Sequence, residues 1–114
     1  MLRCAFNEWR VTGMVVERFQ IWLVDVSRDG NAQLSVVVSP NELMSFDTVI
    51  VAPMSSKLKA YPCRVPCHFR GLDGVIALDQ IKAVDKTHLI RYIGGVELES
   101  QIAICNVLCD MFAW

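Results

Sequence analysis

As far as Gly95, every apolar run in this chain is interrupted within a few residues by a proline, a glycine, a charge or an Asp-Gly pair. From Leu98 onward the hydrophobic period changes from 2 to 3.6. Short interrupted runs are strands, and turn signals this closely spaced suit a small barrel or a strongly bent sheet. In the last segment Ile104, Val107, Leu108 and Met111 fall at i, i+3, i+4 and i+7, which is one helix face. Gln101, Asn106 and Asp110 mark its polar side, and Glu97 and Glu99 lie where the helix dipole favours acids. The expected class is β-rich α+β: about six short antiparallel strands followed by a helix that buries its stripe on the sheet or on a partner.

Taken in order, residues 18–27 alternate and then run apolar through Ile21, Trp22, Leu23 and Val24. Asp29-Gly30 supplies a hairpin turn, and residues 33–40 return antiparallel. Pro40 to Met44 read as a helical turn capped by Ser39. Val49, Ile50 and Val51 form a buried strand expected to stop at Pro53, which has no N–H for a ladder. Tyr61 to Phe69 is extended, Gly71 and Asp73-Gly74 turn the chain, and Val75 to Ile81 is a strand that Lys82 to Val84 continue past a bend. Leu89 to Ile93 is the last strand. Residues 1–13 show no periodicity. They read either as an extension before a domain spanning 14–114, starting at Met14, or as an element docked through Phe6 and Trp9.

A chain of 114 residues with 54% hydrophobic side chains is one globular domain with a modest core. Its net charge of −1 draws it neither to nucleic acid nor to a membrane, so any polyanion site must be a local patch. The best such patch follows the Val49–Val51 strand: two hydroxyls, Ser55 and Ser56, then two cations, Lys57 and Lys59. Hydroxyls and lysines at a strand mouth donate hydrogen bonds and charge to phosphate oxygens. The five cysteines are odd in number, and Cys63/Cys67 and Cys105/Cys109 are spaced C-x3-C rather than as a zinc knuckle. They read as free thiols in a reducing compartment, with no metal or other cofactor. No apolar run nears the roughly 20 residues that span a bilayer, and no signal-peptide core is evident, so the expected location is the cytoplasm. His68 and His88 are the histidines of the chain, and both read as surface or loop residues.

The stretch VAPMSSKLKAYP, followed by LDGVIALDQIKAVD, resembles the PemK/MazF family of bacterial toxins. There a strand ends in a Pro-x-(Thr/Ser)-(Thr/Ser) turn, a Lys-Gly-Tyr-Pro-like segment follows, and Gly-Val-x-x-x-Asp-Gln-(Val/Ile)-(Lys/Arg) comes later. Ile21 to Asp25 and Val36 to Pro40 look like that family's first two strands, and the likeness spans about residues 17 to 112. The resemblance implies an SH3-like, CcdB/PemK-like β-barrel with a C-terminal helix. It further implies a homodimer, an antitoxin that covers the groove, and metal-independent cleavage of single-stranded RNA by attack of a ribose 2′-OH on the adjacent phosphate. Ser55 matches the family hydroxyl, and Asp79 and Gln80 match its Asp-Gln pair, the aspartate orienting a donor or acting as a base. Where the family has Arg-Pro before its second strand, this chain has Leu34-Ser35, so either Arg28 in the shortened hairpin loop supplies the guanidinium, or another cation does, or the site no longer cuts RNA. The implied catalytic set is Ser55, Arg28 and Asp79, with Ser56, Lys57, Lys59, Gln80 and Lys82 on the RNA. The alternatives are a toxin of the related CcdB type, which binds DNA gyrase through aromatics such as Phe112 and Trp114, and an inactive homologue that only pairs with an antitoxin.

Overall fold

The computed structural model describes residues 15–25, 31–43 and 45–113. The extension at 1–13, the first hairpin turn with Arg28, and Trp114 lie outside them. Among the described residues seven strands follow in order: β1 Gln20–Asp25, β2 Ala32–Val37, β3 Thr48–Ser55, β4 Arg64–Phe69, β5 Leu72–Ala77, β6 Lys82–Asp85 and β7 Leu89–Gly95. The helix α1 spans Leu98–Phe112. The strands form one antiparallel sheet in the order β4-β5-β3-β2-β1-β7, with β6 also paired to β3. The sheet curls into a half-barrel closed off by one C-terminal helix.

Strand β3 makes the curl. Its first half pairs with β6 (Thr48↔Asp85 to Val51↔Lys82), and its last two residues pair with β5 (Met54↔Ile76, Ser55↔Val75). The strand therefore runs on through Pro53 rather than stopping there. The Val38 N–H donates to the Ile50 carbonyl (2.9 Å), so even positions of β3 face β2. Position 53 points the other way, into the gap between the β6 and β5 pairings, where no N–H is called for. Lys82–Asp85 is likewise a strand of its own, not a continuation of β5, because the 3-10 turn Leu78–Gln80 carries the chain across that gap.

The sheet buries both faces. On one, Trp22, Val24, Val37, Val49, Val51, Val84 and Leu89 pack together with Val16. On the other, Ile21, Val36, Ala52 and Met54 meet Val65, Cys67 and Ile76 of the β4–β5 ribbon and Ile104 of α1. Ile104 is fully buried, and Val107, Leu108 and Met111 pack beside it, as their spacing predicts. Leu98, Ile102 and Phe112 lie exposed on α1.

The β4–β5 hairpin turns at Arg70 and Gly71, both at positive φ (53° and 78°), as a two-residue turn of the primed type requires. Asp73-Gly74, expected to turn the chain, instead belong to β5. The hairpin tip rests on β7. Arg70 Nη2 donates to the Ile93 carbonyl (2.9 Å), and the Phe69 ring covers Gly94 so closely that a Cβ there would meet it at 2.6 Å. Along the outer edge α1 clamps β4: Ser100 Oγ donates to the Pro66 carbonyl (3.1 Å), and Glu97 Oε1 accepts the His68 N–H (3.1 Å). Pro66 is tolerated because that edge asks it for no N–H.

Candidate active site

Ser55 closes β3 opposite Val75, and its Oγ accepts the Lys57 N–H (3.1 Å). This local bond bends the chain out of the sheet, and it leaves the hydroxyl hydrogen for another acceptor. Ser56, Lys57 and Lys59 follow on the exposed turn.

Beneath that turn sits Arg64, which sequence reasoning passed over. Its Nε and Nη2 donate to the two oxygens of Asp79 (3.0 and 3.2 Å), and its Nη1 donates to the Lys59 carbonyl (3.0 Å). The guanidinium also stacks 4.2 Å from the Tyr61 ring centroid. The Arg64 hydrogen bonds hold the Asp79 carboxyl below the usual carboxylate range. Of the two roles expected for Asp79, orienting a donor suits this fork, because both of its oxygens already face a cation. The fork fixes the backbone that carries the two lysines. Arg64 and Asp79 lie far apart in sequence, so no local signal joins them.

Gln80 ends the 3-10 turn and is exposed. Lys82 opens β6 opposite Val51, also exposed. At a rise of roughly 3.3 Å per residue, that register lies up to about 13 Å along β3 from Ser55. Lys82 is therefore not an immediate neighbour of the serine turn.

Two depressions meet at that turn, each of about 300 Å³. The first is an apolar groove floored by Leu23, Leu34, Met54 and Phe69, with Ser55 and Gln33 on its rim. Leu34, at the position of the expected arginine, thus faces the same groove as Ser55. Gln33 is spent on the backbone: its Nε2 donates to the Leu34 and Met54 carbonyls (3.1 and 2.9 Å). Cys67 reaches this groove with its Sγ against Met54 Sδ (3.4 Å), and burial raises its thiol pKa. The second depression brings Ser56, His68 and Asp73 together over Pro66, Cys67 and Val75. Ser56, Cys67, Asp73 and Gly74 border both.

Sequence reasoning also missed the contact between His68 Nδ1 and Asp73 Oδ1. A usable signal was present. Once Arg70-Gly71 is the two-residue turn, counting back pairs Phe69 with Leu72 and His68 with Asp73. Among the described residues no cluster of three or more His, Cys, Asp or Glu side chains is arranged to hold a metal ion.

Similar folds occur in solved toxin structures. A mycobacterial endoribonuclease in complex with its cognate antitoxin superposes with a TM-score of 0.77 at 21% identity, covering 88% of this chain and 99% of that one. MazE–MazF from Deinococcus radiodurans gives 0.75 at 16% identity, over 88% and 97%. The Mycobacterium tuberculosis toxin MazF-mt6 gives 0.69 at 17%, over 82% and 95%. At these identities the likeness establishes the fold. A comparison with curated proteins finds no match. The family model for the PemK-like, MazF-like toxin of type II toxin–antitoxin systems, however, matches residues 17–112. The chain belongs to that toxin family.

Proposed function

We propose that this chain is a cytoplasmic endoribonuclease toxin that cuts single-stranded RNA without a metal ion, through 2′-OH attack on the adjacent phosphate. The observation that carries this reading is the Ser55–Ser56 turn. It presents two hydroxyls and the exposed Lys57 at the junction of two open depressions, in a chain of this toxin family. Ser55 donates to a non-bridging oxygen as charge builds on phosphorus. Lys57 and Lys59 steer the RNA backbone, with Ser56, Gln80 and Lys82 as further contacts. Asp79 holds the Arg64 fork that shapes the loop. Arg28 stays in the proposed set as a cation from the first hairpin.

Solved relatives of the same fold are described as an endoribonuclease with its cognate antitoxin and as MazE–MazF, which supports an antitoxin partner here. The exposed apolar residues of α1 supply surface for an antitoxin or for a second copy in a homodimer. Phe112 is 72% exposed, which also favours the alternative of a toxin that acts by binding a protein target. The test is incubation of the purified chain with a long single-stranded RNA in EDTA, with new 5′ ends mapped by primer extension. Discrete cuts support the ribonuclease. Intact RNA, together with inhibition of gyrase, would establish the binding toxin instead.

A further inference from the structure

We infer that His68, oriented by Asp73, is the general base for the 2′-hydroxyl; this rests on the ribonuclease reading above. Strand parity sets the geometry. Ser55 faces Val75 across β3–β5, Asp73 lies two residues from Val75 on β5, and His68 faces Asp73 across β5–β4. Directly paired residues share a face, and so do residues i and i+2. Ser55, Asp73 and His68 therefore stand on one face of the β3–β5–β4 ribbon, opposite the face that buries Met54, Ile76 and Cys67. Two strand spacings across and two residues along put the Ser55 and His68 Cα atoms roughly 12 Å apart. That span admits a ribose-phosphate unit with a serine hydroxyl at one end and an imidazole at the other.

The pair is built to act as a base. Asp73 can only accept, so the His68 Nδ1 facing it carries the hydrogen, and in the neutral ring the lone pair sits on Nε2. The ring is well exposed, with its side chain 71% accessible, while its backbone is fixed because Glu97 accepts the His68 N–H. Glu97 and Glu99 lie on the other side of His68, where they line a separate depression with Pro66 and Ser100. Ser56 shares the second depression with His68 and Asp73. The need for such a group is visible next door, where Leu34 brings an aliphatic chain to the groove and can neither take a proton nor carry charge.

Nε2 of His68 takes the 2′-OH proton as the 2′-oxygen–phosphorus bond forms. The phosphorus–5′-oxygen bond breaks, and the leaving oxygen takes a proton from water. The products are a 2′,3′-cyclic phosphate and a 5′-hydroxyl, and His68 returns its proton to solvent. His68 is a catalytic residue in this scheme, and Asp73 is a positioning residue.

The experiment compares wild type, His68→Gln, His68→Ala and Asp73→Asn on one RNA in EDTA, with binding and melting measured in parallel. The expected results are a loss of roughly a hundredfold in cleavage for both His68 variants, with RNA binding and melting unchanged. Free imidazole should restore part of the rate in His68→Ala. Asp73→Asn should lower kcat and leave KM unchanged. Cleavage by His68→Gln within threefold of wild type overturns the assignment while leaving the ribonuclease reading intact. A loss in His68→Ala that imidazole does not repair also overturns it. Intact RNA with the wild type overturns both.

Discussion

The apolar groove and the depression beside it share a rim, a strand and nearly the same volume, yet different side chains mark each. Leu23, Leu34, Met54 and Phe69 line only the groove, Pro66, His68 and Val75 line only the second depression, and Asp73 and Gly74 of β5 border both. Position 74 points toward the core and is glycine, its built Cβ falling 3.7 Å from the Ser55 carbonyl, while position 73 points out and carries a carboxylate. On the proposed reading, a chain with leucine at position 34 holds its acid–base chemistry on the opposite face of the sheet.

The comparison breaks most completely if the ribbon that carries both depressions comes loose. Ile104 is fully buried between α1 and that ribbon, so Ile104→Ala should cost about 2–5 kcal/mol and collapse both sites together, as read from the urea midpoint. The next largest effect falls at the rim of the groove. Ser55→Ala should cut the cleavage rate by roughly a hundredfold, with stability changed by less than about 1 kcal/mol; full activity would take Ser55 out of the site.

Leu34→Arg sharpens the contrast by returning charge to the apolar side. The half-buried stem can stay on the groove floor with the guanidinium at the rim. An increase in cleavage of about tenfold is expected, and it should persist in the His68→Gln background. Smaller still is the effect of acid. Arg64 holds the Asp79 carboxyl below its usual range, so the stability from this fork is fully present above the ordinary aspartate pKa. It is lost as pH falls through the depressed value. Melting curves from neutral pH downward should therefore show a decline at low pH that Arg64→Met makes shallower. Last, Cys67 should alkylate slowly and the exposed Cys109 quickly, since burial both shields Cys67 and raises its thiol pKa.

Much of this architecture is legible where the signal is local. The 3.6 period of Ile104, Val107, Leu108 and Met111 names the face that α1 buries, and the alternation through Ile21 and Val24 finds β1. Legibility fails where distant chain decides. Pro53 reads as a strand end because a ladder needs its N–H, and only the change of partners from β6 to β5 leaves that position unasked. Asp79 reads as a candidate base because Arg64, its partner in the fork, comes from another strand. Asp73-Gly74 reads as a turn because the dipeptide favours one; Arg70-Gly71 takes the turn instead. That shift by a few residues separates His68 from its carboxylate on paper and joins them in the fold.

The account stands on where the reacting phosphate sits. Once the cut site is mapped, the direct measurement is a structure of the chain with an oligonucleotide bearing a 2′-deoxy sugar at that position, which binds but cannot react. The expected result is the phosphate at the Ser55–Ser56 rim, with the 2′ position turned toward His68 Nε2. A phosphate lodged beside Leu34, with His68 facing solvent, would contradict it.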